Sequence, residues 1–230
     1  MTRVRALSLT LTMIAAPALA DQFVPPVGCT ASLTVQSKNC EVTHVYTCEG
    51  DPVGVNWSVT FDNDGPVFVD KIDYETQWLE TFHVFQGVRE SLITPAADPA
   101  SLTELLATGI DSYDFRLRAE DGEIRVVGYD QIVGDVLTID DEPLLPMVFE
   151  GRYEDDTGVF MTISGTQYVS EKHRRFFGGI FEVTEDGDTR TWDASPFEFI
   201  YPGEPGFLDK TPRYECAASM IGYAPYPQID

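Results

Sequence analysis

The densest chemistry in the chain is Lys172-His173-Arg174-Arg175, which runs directly into Phe176-Phe177. Three cations within four positions, beside two aromatic rings, could hold an anion or a headgroup at the rim of a cavity, with the phenyl groups on the apolar part of the ligand. The plainer reading is a solvated strand end whose charges answer nearby carboxylates. The run goes against the balance of the chain, where 15 Lys and Arg face 38 Asp and Glu for a formal charge of −23. That balance excludes a nucleic-acid binder, which needs clustered cations to displace counterions from phosphates. It does not imply disorder, because 43 % apolar and 12 % aromatic residues supply ample core.

Other candidates are thinner. His44 alternates with Val42 and Tyr46, so it is expected as a hydrogen-bonded core histidine, with a general base in a pocket as the alternative. His83 faces away from Phe82 and is expected at a solvated strand position. The chain has no G-x-S-x-G, no H-E-x-x-H, no P-loop and no G-x-G-x-x-G. No catalytic residue, metal ligand or cofactor is therefore assigned. Glu75-Thr76-Gln77-Trp78-Leu79-Glu80 resembles the E-x-D-x-x-E signature of jelly-roll β-glucanases, but Gln77 stands at the middle aspartate. The spacing of Glu75 and Glu80 also sends them to opposite faces of a regular strand. Asp62-Asn63-Asp64-Gly65, Glu154-Asp155-Asp156 and Glu185-Asp186-Gly187-Asp188 are rich in oxygen, yet none fits an EF-hand loop. They are what tight turns prefer.

Residues 1–20 carry Arg3 and Arg5, an apolar stretch, and Ala18-Leu19-Ala20. This is the pattern of an export signal that is removed, leaving 21–230 as a single domain in the periplasm or outside the cell. Removal subtracts two basic and no acidic residues, taking −23 to −25. No later apolar run is long enough to span a bilayer. Cys29, Cys40, Cys48 and Cys216 are an even set suited to two disulfides in an oxidising compartment. A two-residue turn at Lys38-Asn39 would set Cys29 opposite Cys48, Ala31 opposite Tyr46, Leu33 opposite His44 and Val35 opposite Val42, one apolar row on one face. Cys40 at the tip would then bond Cys216. The rival pairing, Cys29 with Cys40 and Cys48 with Cys216, needs a slipped register.

The elements that must position these groups are short alternating strands separated by acidic or glycine-containing turns. Residues 55–61 and 67–72 pair Phe61 with Val67 and Val59 with Val69. Residues 113–119 and 124–129 flank Asp121-Gly122, with Ala119 meeting Ile124, Leu117 meeting Val126 and Phe115 meeting Gly128. Residues 147–153 and 159–163 pair Tyr153 with Val159 and Phe149 with Ile163. Residues 179–184 and 189–192 flank Asp186-Gly187. One helix is expected near residues 99–108, capped by Asp98, with Pro99 in its first turn and Gly109 as its stop. Leu102, Leu105 and Leu106 would line its packed side. Hairpins with one greasy face each must close on one another. The expected fold is all-β, a single antiparallel, strongly curved sheet forming a barrel or half-barrel, with one packing helix. Pro25-Pro26 and residues 201–206 read as terminal ties and 225–230 as a frayed tail.

The leader, the Cys29 to Cys48 hairpin, residues 98–115 and residues 196–207 are together similar to uncharacterised exported proteins of alphaproteobacteria. That likeness covers most of the chain and implies a compartment and a single domain, with no activity. The expected sheet also resembles the half-barrels of periplasmic lipoprotein and lipid carriers, at fold level alone. The expected function is a non-enzymatic periplasmic or secreted binding or envelope-associated protein, holding an apolar or amphipathic ligand, with an amphipathic or anionic small molecule as its expected partner. A hydrolase of envelope glycan or another polymer and a structural interaction domain are the alternatives.

Overall fold

Turn length decides which face each strand buries, and the first hairpin is the clearest case. The computed structural model describes residues 21–120, 122–214 and 216; the leader, the 225–230 tail and Asp121 lie outside them. Strands β1 (Cys29–Ser37) and β2 (Glu41–Cys48) pair Cys29 with Cys48 and Ala31 with Tyr46 as expected. Past that point Leu33 meets Val45 rather than His44, and Val35 meets Thr43 rather than Val42. The turn holds three residues, with Cys40 at φ 59° in the left-handed region, and a bulge between Ala31 and Leu33 absorbs the extra residue. A slip of one residue exchanges faces. Leu33, Val35 and Val45 therefore enter one core cluster and Val42 and Tyr46 another, on the opposite side. Both expected disulfides are present, Cys29–Cys48 and Cys40–Cys216.

The remaining hairpins err more gently. β3 (Asn56–Phe61) and β4 (Pro66–Ile72) pair Val59 with Val69, but Phe61 meets Pro66, not Val67, at an irregularity. β7 (Ile110–Ala119) and β8 (Gly122–Ile132) pair Ala119 with Gly122, Leu117 with Ile124 and Phe115 with Val126. β10 (Glu142–Glu154) and β11 (Val159–Ser170) pair Tyr153 with Met161 and Phe149 with Gly165. Both registers differ from expectation by two residues, which leaves every side chain on its expected face. β12 (Arg175–Glu185) and β13 (Asp188–Asp193) turn at Asp186-Gly187, at φ 50° and 86°, the two positive values that a tight two-residue hairpin requires.

Helix α1 is shorter than expected, Leu102–Thr108, and Ser101 rather than Asp98 is its N-cap, accepting the Glu104 N–H. Asp98 and Pro99 do not start it because β6 (Val88–Asp98) runs through Asp98. Gly109 ends it at φ 85° as expected. Leu102 and Leu105 are buried against Met147 and Val169, with Leu106 beside them.

With β5 (Trp78–His83), β9 (Leu137–Ile139) and β14 (Pro196–Ile200), fourteen strands form one antiparallel sheet. Its order is β13-β12-β11-β10-β8-β7-β6-β5-β4-β3-β2-β1-β14, with β9 paired to β10 alone. The two ends do not pair, so this is not a closed barrel. Cross-strand partners trace one continuous face through Ser58, Asp70, Thr81 and Glu90, then Leu92 and Leu117, then Phe115, Val126, Tyr153 and Met161. Val169 and Phe176 continue it, so Arg175 and Phe177 point to the other face. Yet Arg175 donates to Asn56 and Ser58 at 2.6 and 2.8 Å. In a flat sheet β12 and β3, eight neighbours apart, would be about 38 Å distant. Opposite faces touch, so the sheet rolls like a scroll. The ends of β11 and β12 tuck between β1–β3 on one side and α1 on the other.

Residues 21–23 and 208–210 together strap the convex side. Phe23 N–H donates to the Leu208 carbonyl at 2.8 Å and Lys210 N–H to Asp21 at 3.1 Å, and Phe23 packs on the cluster of Val42, Tyr46, Val59 and Phe61. At the free edge of β14, the Asp140 carboxylate accepts the Phe199 N–H at 2.7 Å, occupying a donor that an edge would otherwise offer to another chain.

Candidate functional site

The basic run is not a patch. Lys172 donates to Glu142 and to the Tyr201 hydroxyl, each at 2.7 Å. His173 Nε2 lies 3.2 Å from Glu142 Oε1 and 3.1 Å from the Tyr201 hydroxyl, and Tyr201 also donates to Glu142. Burial alone would raise the Glu142 carboxyl, but its bonds from Lys172 and Tyr201 outweigh this and hold it below its ordinary value. Burial depresses His173 in spite of the carboxylate beside it. Arg174 stacks on the Tyr74 ring, donates to the Tyr74 carbonyl at 2.8 Å and reaches Glu75 and Thr103. Arg175 is 8 % exposed, and burial lowers it to about 10 although Asp70 opposes the shift. Phe176 joins the α1 cluster and Phe177 the cluster of Leu33, Val35 and Phe199. The six residues thus serve five different contacts, and the cations are bonded to protein acceptors.

What the rolled sheet does assemble is a band of aromatic rings on its concave face. Trp78 lies edge-on to Phe115 at 5.6 Å and stacks near Tyr153 at 6.4 Å. Phe115 meets Tyr113 at 5.8 Å, and Tyr153 meets Phe160 at 6.4 Å. These rings come from β5, β7, β10 and β11, and β5 and β10 would be about 19 Å apart in a flat sheet. Phe149 and Phe181 continue the face at 6.4 Å. Phe115 is buried, but Trp78 is 37 % exposed and Tyr113, Tyr153, Phe160, Phe149 and Phe181 are half-buried. The band is therefore a surface as well as a core. Gly128 and Gly151, opposite one another on β8 and β10, make room for it. A Cβ on Gly128 would sit 2.5 Å from the Tyr113 hydroxyl and 2.2 Å from the Glu150 carbonyl. Gly128→Ala should cost about 1–3 kcal/mol by overpacking and expel the Tyr113 ring, seen as altered near-ultraviolet dichroism.

One end of the band is acidic. Asp111 and Asp130 are direct cross-strand partners, 5 % and 6 % exposed, on the face that carries Tyr113. Ser101 N–H donates to Asp111 at 2.9 Å and Gln167 to Asp130 at 2.8 Å. Burial, with the carboxylates of Glu104, Asp98 and Glu75, lifts Asp111 to about 6 against the Ser101 bond. Burial, then repulsion from Asp111, lifts Asp130 to about 7 against the Gln167 bond. Folded values above the ordinary 3.8 mean that the folded chain holds protons the unfolded chain has released. The resulting stability is full at acid pH and is lost as pH rises through about 6 and about 7. From pH 5 to pH 8 the melting temperature of the wild type should fall relative to that of Asp130→Asn by roughly 5–10 °C, a difference that cancels the other titrating groups. An equal fall in both proteins would contradict the assignment.

The other candidates are placed as follows. His44 is fully buried, stacked on Phe23, with Nδ1 2.9 Å from the Thr34 hydroxyl, and burial lowers it to about 4. This is the core histidine expected. His83 is half-buried at 3.6 Å from Glu90. Glu75 caps the start of α1, accepting from Thr103 N–H at 2.8 Å and its hydroxyl at 2.7 Å, whereas Glu80 pairs with Arg89. No trio of His, Cys, Asp or Glu that could hold a metal ion occurs among the described residues. Nor is any described helix long and apolar enough to cross a membrane. Two open depressions of about 300 Å³ lie on the convex side, one at Trp57, Val69 and Phe82, the other at Phe61, Asp64 and Lys210. Neither is a continuous cavity of Phe, Leu and Val.

Sequence reading missed the band and the acid pair. A band built from four strands has no signature in any one of them. The pair does have a local one: Asp111 is in phase with Tyr113, Phe115 and Leu117, and Asp130 with Val126 and Ile124. No family model, no curated protein and no solved structure matches this chain.

Proposed function

We propose that the chain is an exported, non-enzymatic binding protein that takes an amphipathic ligand on the concave face of its sheet. The observation that carries this reading is the band of Trp78, Tyr113, Phe115, Tyr153 and Phe160, held in mutual contact from four strands yet left half open. Contiguous, partly exposed apolar surface of this kind is uncommon unless something binds it, and rings fixed by one another lose little freedom when a ligand arrives. Export is supported by the leader pattern of residues 1–20 and by the two disulfides. The basic run takes no part in the ligand contact, since its cations already have partners. A hydrolase would need both carboxyls at a scissile bond, and at 5 % and 6 % exposure Asp111 and Asp130 do not reach one while α1 is docked.

Titration with the apolar fluorophore N-phenyl-1-naphthylamine tests the reading. Saturable binding is expected, weakened by Trp78→Ala at least about tenfold, the equivalent of about 1.4 kcal/mol. Phe82→Ala, on the convex face, should leave it unchanged. Equal affinity in the wild type and Trp78→Ala would overturn the proposal.

A further inference from the structure

Helix α1 has seven residues, too few to persist without its surroundings. Its leucines hold its body to the sheet, and acceptors from the sheet hold its start. Ala100 N–H donates to Gln77 at 3.0 Å, Ser101 N–H to Asp111 at 2.9 Å, and Thr103 N–H to Glu75 at 2.8 Å. Of these acceptors only Asp111 has a second carboxyl, Asp130, directly opposite it on the neighbouring strand. Opposite residues in an antiparallel pair have Cβ atoms about 5 Å apart, and both carboxyls are buried. Two carboxylates at that separation, away from water, favour keeping one proton between them.

We propose that Asp111 and Asp130 form a proton-operated latch on α1, docked while the pair retains a proton and released when the last proton leaves to solvent. The surroundings reinforce that direction. Glu104 on α1, Asp98 at the end of β6 and Glu75 in the β4–β5 loop all add negative potential at Asp111, and Asp130 receives only the neutral donor Gln167, with the Tyr113 phenol beside it. Arg174 is bonded to Glu75 and not to either aspartate. A second charge on the pair is thus unanswered, and the element that packs against it is a helix of only two turns. Release would swing residues 99–109 away from the Tyr113 end of the aromatic band. The latch does not depend on what the band binds, so it stands or falls separately.

Hydrogen exchange of the 99–109 segment, corrected for the intrinsic pH dependence of exchange and referred to the 56–72 hairpin, reads the latch directly. From pH 5 to pH 8 its protection should fall, by up to about tenfold per pH unit, the limit for release of one proton, and it should level off once the docked pair has lost its last proton. In Asp130→Asn, which keeps an acceptor for Gln167, the ratio should be flat. Asp111→Asn, which keeps an acceptor for Ser101, should behave alike and serves if the first variant folds poorly. A wild-type ratio that does not change with pH, or one that changes equally in the variants, overturns the latch.

Discussion

Arg175→Met should cost about 3–5 kcal/mol of stability, the range for removing one member of a buried charged network. Methionine fills similar space but donates nothing, so the carboxamide oxygen of Asn56 and the hydroxyl of Ser58 lose their donors in the seam where β12 lies against β3. Asp70, already raised by burial and held down in part by Arg175 and by its bond from Thr81, would lose a neighbouring cation. The variant should therefore be less impaired at acid pH, where Asp70 takes up a proton, and Asp70→Asn should restore part of the loss at neutral pH. Urea denaturation at two pH values measures both effects. The outcome also distinguishes two uses of the basic run. If Arg175 served a bound anion, its loss would leave stability intact and alter only what the protein carries.

The second large effect belongs to the Cys40–Cys216 bond, which closes a sequence separation of 176 residues. In the chain-entropy model a loop of that length contributes about 5 kcal/mol, against about 3 kcal/mol for the 19-residue separation of Cys29–Cys48. Cys40→Ala with Cys216→Ala should therefore lower the melting temperature more than Cys29→Ala with Cys48→Ala. At roughly 2–4 °C per kcal/mol for a chain of this size, the longer bond is worth roughly 10–20 °C. Cys40 is nearly fully buried at the hairpin tip and accepts from Asn63, so packing losses add to the entropy. Scanning calorimetry of the two double variants would contradict the ranking if the short-loop variant melted lower.

The hairpins show how far a single strand can be read. Where register slipped by two, as at Phe115 and Val126 or Phe149 and Gly165, the buried face was still the expected one, because side chains alternate with a period of two. Where it slipped by one, at Leu33 and Val45, the expected apolar row divided between two faces. The cause was one residue, Cys40 entering the left-handed region and lengthening the turn, and nothing local distinguishes that from a two-residue turn. Likewise Asp98-Pro99 is a sound helix start in isolation, but extension of β6 through Asp98 moves the cap to Ser101. The disulfide pairing was legible because the mouth of the hairpin is set before the bulge. A curved sheet was expected from the greasy faces of the hairpins, but which strands roll inward was not legible, since that is set by contacts such as Arg175 with Ser58, across 117 residues. The aromatic band follows from that rolling, so it stayed hidden although Trp78, Phe115 and Tyr153 each sit in an ordinary strand.

Native mass spectrometry of the full chain, expressed in a bacterial host and purified without detergent, tests the central claim most directly. A binding protein with a half-open aromatic face predicts a population carrying an amphiphile mass, retained in Phe82→Ala and lost in Trp78→Ala. Wild-type protein that sprays as the bare chain, and stays bare after incubation with N-phenyl-1-naphthylamine, would contradict it.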